Sequence, residues 1–155
     1  ISSPHIQKTG LALAGFDDGS GPSLFVGGNF TSAGGAAASR VARWNGAAWS
    51  ALGTGTNGVV NALAPFADVT GSFLYAGGQF TTAGGITVNG IARWTGTAWA
   101  ALVGPLGNGV SQSVSALASV DVGGGATLYV GGNFATAGGM TASGTAKWFR
   151  PSKCP

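Results

Sequence analysis

The sequence predicts an all-β fold made of three tandem repeats, each a four-stranded antiparallel sheet. A segment with a Gly-Gly doublet occurs three times, at 24–30, 74–80 and 128–134. Four short runs of apolar and β-branched residues follow one another in each complete repeat, separated by turn residues. The 155 residues include 30 glycines and only 7% charged residues, which is typical of many short strands joined by tight turns.

The first two strands of each repeat are predicted from an alternating apolar run followed by the doublet segment. The alternating run lies at 11–16, 61–66 and 115–120. In the doublet segment, Gly27-Gly28 and its counterparts allow close approach of a neighbouring backbone, because glycine has no side chain.

The third and fourth strands follow a long loop rich in Thr, Ala and Gly. A tight turn, Asn45-Gly46 in the first repeat, connects them, and Asn-Gly is favoured where both central turn residues need positive φ. These strands are predicted at 41–44 and 49–52 in the first repeat and at 91–94 and 99–102 in the second, with the third strand of the third repeat at 145–148.

The third repeat is shorter than the other two. Phe149-Arg150-Pro151 stands where the turn would be, and no fourth strand is predicted after it. The predicted boundaries are an N-terminal arm at 1–9, repeats at 10–59, 60–113 and 114–149, the last incomplete, and a tail at 150–155.

The pattern of a Gly-Gly doublet, an aromatic residue in the third strand and a Trp opening the fourth resembles the kelch repeat. The alternative is a resemblance to another Gly-Gly propeller repeat of secreted and cell-wall proteins. The resemblance implies that each repeat is one blade of a β-propeller. The tryptophans are then expected to pack between neighbouring blades rather than to stack on a ligand: Trp44, Trp49, Trp94, Trp99 and Trp148.

Three blades are fewer than the four to eight with which propellers usually close. We therefore expect self-association. One route is that the N-terminal arm adds a strand to the incomplete third blade of another subunit, giving a six-bladed ring from two chains. If that contact does not close, it propagates a filament. The third alternative is that the chain is part of a longer propeller.

Composition excludes several classes of partner. The net charge of +3 comes from scattered cations, apart from a small C-terminal group, so no nucleic-acid surface is predicted. No apolar run is long enough to predict insertion into a membrane. The absence of Glu and the abundance of Gly, Ser, Thr and Asn predict a secreted or cell-surface protein.

The sequence predicts no catalytic or metal site, and no cofactor. His5 is the only histidine, which excludes a histidine triad or multi-histidine metal site within one chain. The acids lie between first and second strands, where turn formation is preferred over calcium binding: Asp17, Asp18, Asp68 and Asp121. Kelch-like proteins include a copper oxidase, but this chain lacks the His, Tyr and Cys set that the copper site needs.

Several positions are candidates for binding or modification. Arg43, Arg93 and Lys147 each precede a Trp, and this repeated position predicts either a solvated or cation–π face on the third strand or an anchor for an anionic partner or glycan. The long loops on one rim place hydroxyls in reach of a ligand, at Thr31, Thr81 and Thr136. Asn29 matches a glycosylation sequon, and Cys154 is either a free or an intermolecular thiol.

Three functions follow, in order of preference. The first is a non-enzymatic extracellular module that self-associates for scaffolding or adhesion. The second is a propeller that binds carbohydrate or peptide at its loop rim. The third is an enzyme whose site lies on another part of a longer chain.

Overall fold

The structure is a computed structural model, and it describes residues 6, 12–68, 70–102, 109–121, 123 and 125–148. Within these residues the fold is all-β, with several antiparallel sheets. The predicted N-terminal strand, apart from Ile6, and the C-terminal tail lie outside the described residues, as do His5 and Cys154.

The first repeat forms one four-stranded sheet and one short hairpin. Its strands are β1 (Ala12–Asp17), β2 (Pro22–Gly27), β3 (Ser32–Ala33), β4 (Ala36–Ala37), β5 (Val41–Trp44) and β6 (Trp49–Ala51). The sheet has the order β1-β2-β5-β6, and β3 pairs with β4. The chain therefore crosses the sheet strand by strand, with the hairpin inserted between β2 and β5.

The second repeat has the same organisation. Its strands are β7 (Val60–Asp68), β8 (Gly71–Gly78), β9 (Thr82–Ala83), β10 (Ile86–Thr87), β11 (Ile91–Trp94) and β12 (Trp99–Ala100). The sheet order is β7-β8-β11-β12. The strand β7 has a bulge between Val60 and Ala62, which turns Val60 out of the simple alternation.

The third repeat forms a three-stranded sheet among the described residues. Its strands are β13 (Ser113–Asp121), β14 (Ala126–Asn133), β15 (Thr136–Ala137), β16 (Met140–Thr141) and β17 (Thr145–Trp148). The sheet order is β13-β14-β17.

The short hairpins differ from the sequence prediction, which placed only loops between the second and third strands. In each repeat a Gly-Gly turn with positive φ, Gly34-Gly35 in the first, folds the segment back on itself. This turn allows Ser32 to pair with Ala37. The hairpin satisfies backbone groups that an open loop would leave to solvent.

The three sheets pack face to face in chain order. The first strands lie side by side, because β7 contacts β1 on one side and β13 on the other. One apolar cluster joins the first and second repeats, and another joins the second and third. Among the described residues the sheets form no closed ring.

Ile6 is the one described residue of the N-terminal arm, and it lies outside any strand. It packs against a cluster of the first repeat that includes Phe30 and Ala33. Its counterparts by repeat spacing are Thr56 and Val110, which bridge to the hairpins of the following repeats. Ile6 therefore occupies a linker position of its own first repeat.

Candidate functional site

The tryptophans of the second repeat contact the first repeat. Trp99 donates its indole N–H to the Leu52 carbonyl at 2.9 Å, and Trp94 donates to the Asp18 carboxylate at 3.1 Å. Both indoles are buried, and their ring centroids lie 5.4 Å apart. These two side chains combine apolar packing with polar contacts to the preceding sheet.

Trp148 is the counterpart of Trp94 in the third repeat, and it contacts the repeat before it. Its ring is buried and lies 5.7 Å from both Phe66 and Tyr75 of the second repeat, measured between centroids. The same face of each sheet thus carries tryptophan toward the repeat before it.

In the first repeat the inner part of this face, which includes Val26 and Ala42, is buried in a cluster that Ile6 joins, and only its outer part is exposed. We call this outer part the leading face, and it consists of Leu13, Leu24, Trp44 and Trp49. Leu13 is 60% exposed, whereas its counterpart Leu63 is 9% exposed. Leu24 is 38% exposed and its counterpart Leu74 is fully buried. Trp44 and Trp49 are half-buried. Side chains equivalent to those that join the second repeat to the first are therefore more exposed here than their counterparts.

The leading face also contains an unpaired polar atom. The Trp49 Nε1 is buried and has no hydrogen-bond partner, whereas the equivalent atom of Trp99 donates to Leu52. A buried N–H without an acceptor costs about 1–3 kcal/mol. The difference arises because no sheet precedes the first repeat among the described residues.

The opposite face of the third repeat is more exposed than its counterpart in the second repeat, within the part of the chain that the structure describes. We call it the trailing face, and it consists of Ala116, Ala118, Val120, Tyr129 and Gly131. Val120 is 40% exposed, whereas its counterpart Phe66 is 4% exposed. The two alanines are exposed and Tyr129 is half-buried. Their counterparts in the second repeat are all buried: Ala62, Ala64, Tyr75 and Gly77.

The three cations that precede a Trp at equivalent positions have different surroundings in the structure. Arg93 lies 3.6 Å from the Asp68 carboxylate and 4.5 Å from the Phe73 ring centroid. Arg43 donates from Nε to the Ser23 hydroxyl at 2.9 Å. Lys147 is exposed and pairs across the sheet with Tyr129. The two arginines are therefore engaged within their own repeats, and Arg93 has the cation–π contact of the first interpretation.

Two of the three predicted rim threonines line a cavity. Thr81 and Thr136 border a concavity of about 340 Å³ between the second and third repeats, together with Asn89, Ser111 and Gln112. Thr31 is exposed on the surface of the first repeat. The lining offers hydroxyl, amide and backbone groups, which suit a small polar ligand.

The two junctions differ in the side chains that hold the hairpins. At the first, Asn57 accepts hydrogen bonds from the N–H groups of Thr81 and Thr82 and donates to the Thr81 hydroxyl. At the second, Ser111 accepts from the N–H groups of Ala135 and Thr136. Ser111 and Ala135 at the second junction are smaller than Asn57 and Thr81 at the first. The sequence contains this difference between the repeats, but only the structure shows that Ser111 and Ala135 lie together.

The aspartate carboxylates accept hydrogen bonds within the turns in which they lie, as the prediction of turn formation requires. Asp17 and Asp121 each accept two backbone N–H groups of the residues that follow them. Partial burial alone would raise the pKa of Asp18. Hydrogen bonds from Ser20 and Trp94 and the charge of Arg43 outweigh it, so the pKa of Asp18 lies below its ordinary value.

Other features carry less information about a site. Asn29 is exposed at the end of the second strand. The residues that the structure describes hold no group of three or more potential metal-ligating side chains. Within the same residues no helix has the length and apolar character to cross a membrane.

Comparison of the chain with protein-family models, with curated proteins and with solved structures finds no match.

Proposed function

We propose that the chain is a non-enzymatic structural module that associates with further copies of itself, for scaffolding or adhesion outside the cell or at its surface. One observation carries the proposal: positions buried between repeats are exposed on the leading and trailing faces. Exposed apolar side chains at positions that are otherwise interfaces indicate an interaction site. The proposal assigns the chain no catalytic residue and no cofactor.

We further propose that the repeats are blades of a kelch-like propeller. The order of strands within each sheet, the adjacent first strands and the tryptophans between repeats support this interpretation. Two chains would supply six blades, enough for a ring; an interface that does not close would supply a filament.

Two routes of association follow from this architecture. In the first, the N-terminal arm adds a strand beside β17 in another copy, where the edge of the third sheet lies. In the second, the exposed faces pack together. Ile6 favours the second, because this residue of the arm already packs within its own repeat.

The test is the molar mass of the purified chain over a concentration series, measured by light scattering and accompanied by negative-stain imaging. We expect mass above the 15.0 kDa of one chain, and rings or filaments in the images. A variant without residues 1–9 separates the routes, since face packing predicts that it still associates. A wild-type protein of monomer mass at every concentration contradicts self-association.

The cavity between the second and third repeats supports a second candidate function, the binding of a glycan or peptide at the loop rim. Its hydroxyl and amide lining is the specific observation in favour. The matched variant is Ser111→Asn with Ala135→Thr, which reproduces the side chains of the first junction and should fill the cavity. If wild type binds glycans on an array and the double variant does not, the result supports this candidate function. If the double variant binds as wild type does, the cavity is not the binding site.

A further inference from the structure

We propose that copies of this chain associate head to tail, with the leading face of one copy packed on the trailing face of the next. The proposal rests on the proposed function, self-association, and names the two surfaces that perform it. The contact would repeat between molecules the packing that already joins the repeats within one molecule.

The contact within the molecule occurs twice with equivalent residues. A Cβ placed on Gly27 would lie 2.4 Å from Cγ1 of Val60 and 3.5 Å from Cδ1 of Leu63. A Cβ placed on Gly77 would lie 2.4 Å from Cγ1 of Val114 and 3.4 Å from Cδ1 of Leu117. In both cases a glycine of one sheet receives a valine and a leucine from the first strand of the next.

Each exposed face carries one side of this contact: the trailing face has the glycine and the leading face has the leucine. Gly131 is the counterpart of Gly27 and Gly77, and the nearest heavy atom to a Cβ placed there is Cβ of Ala116, at 4.0 Å. Leu13 is the counterpart of Leu63 and Leu117, and it projects into solvent. The first repeat has Gly10 where the others have valine, so Leu13 is the side chain that would fill the space at Gly131 of another copy.

The rest of the leading face agrees with this assignment. The exposed Leu24 and the half-buried Trp44 stand where Leu74 and Trp94 pack on the first repeat. Buried Trp49 Nε1 lacks the acceptor that Trp99 finds in a carbonyl of the preceding repeat. A copy packed on the leading face would bury these apolar groups and bring main-chain carbonyls to that side.

Because the two faces differ, the contact is heterologous. Each copy that binds through its leading face still presents a free trailing face, so the assembly grows until it closes into a ring or forms a filament. A symmetric dimer in which leading faces meet each other would use only one of the two surfaces.

The test uses one charge on each face of the full-length chain. Leu13→Lys alters the leading face and Ala118→Glu alters the trailing face, and both positions are exposed. The matched control is Met140→Lys. Met140 is 67% exposed, and its counterparts Ala36 and Ile86 are exposed in the other repeats, so this position lies outside both faces.

An unpaired charge in the contact should weaken association about 100-fold or more. We therefore expect each face variant to be monomeric at concentrations where wild type and Met140→Lys assemble. An equimolar mixture of the two variants should form a capped dimer of twice 15.0 kDa, because each supplies the intact face that the other lacks.

The outcomes separate this proposal from the broader one. If wild type assembles and both variants do too, the faces are wrong but self-association stands. If Ala118→Glu dimerises alone while Leu13→Lys does not, leading faces pair with each other and the head-to-tail arrangement is wrong. If wild type never assembles, both proposals fail. Circular dichroism confirms that each variant is folded.

Discussion

The glycines of the doublets show how one residue type has different roles at equivalent positions. At Gly27 and Gly77 a valine of the next repeat occupies the space that a side chain would need. A methyl group at either glycine would overlap this valine. At Gly131 the same position is open. Sequence alone assigns the same role to all three glycines.

Gly77→Ala should therefore destabilise the fold while Gly131→Ala should not. We expect a loss of about 1–3 kcal/mol in the free energy of unfolding for Gly77→Ala, because the added methyl must displace Val114. Urea denaturation checks this, at a concentration where the protein is monomeric. Equal losses for the two variants would show that the doublets do not mediate packing between repeats.

The carboxylate of Asp18 links a turn of the first repeat to Trp94 of the second. The folded-state pKa of Asp18 lies below the ordinary value of 3.8, since its hydrogen bonds and Arg43 outweigh burial. Ionised Asp18 therefore stabilises the fold above the unfolded-state pKa, and this stabilisation is lost as the pH falls through the folded-state pKa.

We predict that wild type loses more stability than Asp18→Asn as the pH is lowered from about 5 to about 3. Thermal unfolding at a series of pH values measures the difference. Stability curves that stay parallel over this range would mean that Asp18 does not contribute through its charge.

At the scale of elements, the short hairpins are fastened to the linkers that enter their repeats. Asn57 holds the N–H groups of Thr81 and Thr82, and Thr56 forms a bridge with Ala83. These contacts explain why residues predicted as open loop are ordered as β9 and β10.

Asn57→Ala should loosen this hairpin locally. Hydrogen exchange at the Thr81 and Thr82 amides should become faster, because their side-chain acceptor is removed. The amides of Ala135 and Thr136, held by Ser111, are the internal control and should keep their exchange rates. Unchanged exchange at Thr81 and Thr82 counts against the fastening role of Asn57.

The long strands were predictable because they combine alternation with a repeat that marks equivalent positions. The Gly-Gly segment and the Trp-containing strands lie close to where the sequence places them, as with Val41–Trp44 and Ile91–Trp94. The hairpins were missed because two-residue strands have no period to detect. The cavity was missed because its lining residues, such as Thr81, Ser111 and Thr136, are far apart in sequence.

For the whole molecule, the count of three repeats predicted self-association, but it did not show which side chains the exposed faces carry. Leu13 reads as an ordinary strand residue, equivalent to Leu63. Only the packing of sheets shows that Leu63 is buried and Leu13 is not. Similar units stacked in one direction present two different ends among the described residues, one with an exposed leucine and half-buried indole rings and one with an open glycine.

The most direct measurement is cross-linking between copies, in a Cys154→Ser background, with a short thiol-specific reagent. Leu13→Cys is mixed with Gly131→Cys. We predict a covalent dimer in the mixture and little product from either variant alone, because Leu13 meets Gly131 only in another copy. Efficient cross-linking of Leu13→Cys to itself, or none in a mixture that has assembled, would contradict the stacking of sheets from one molecule to the next.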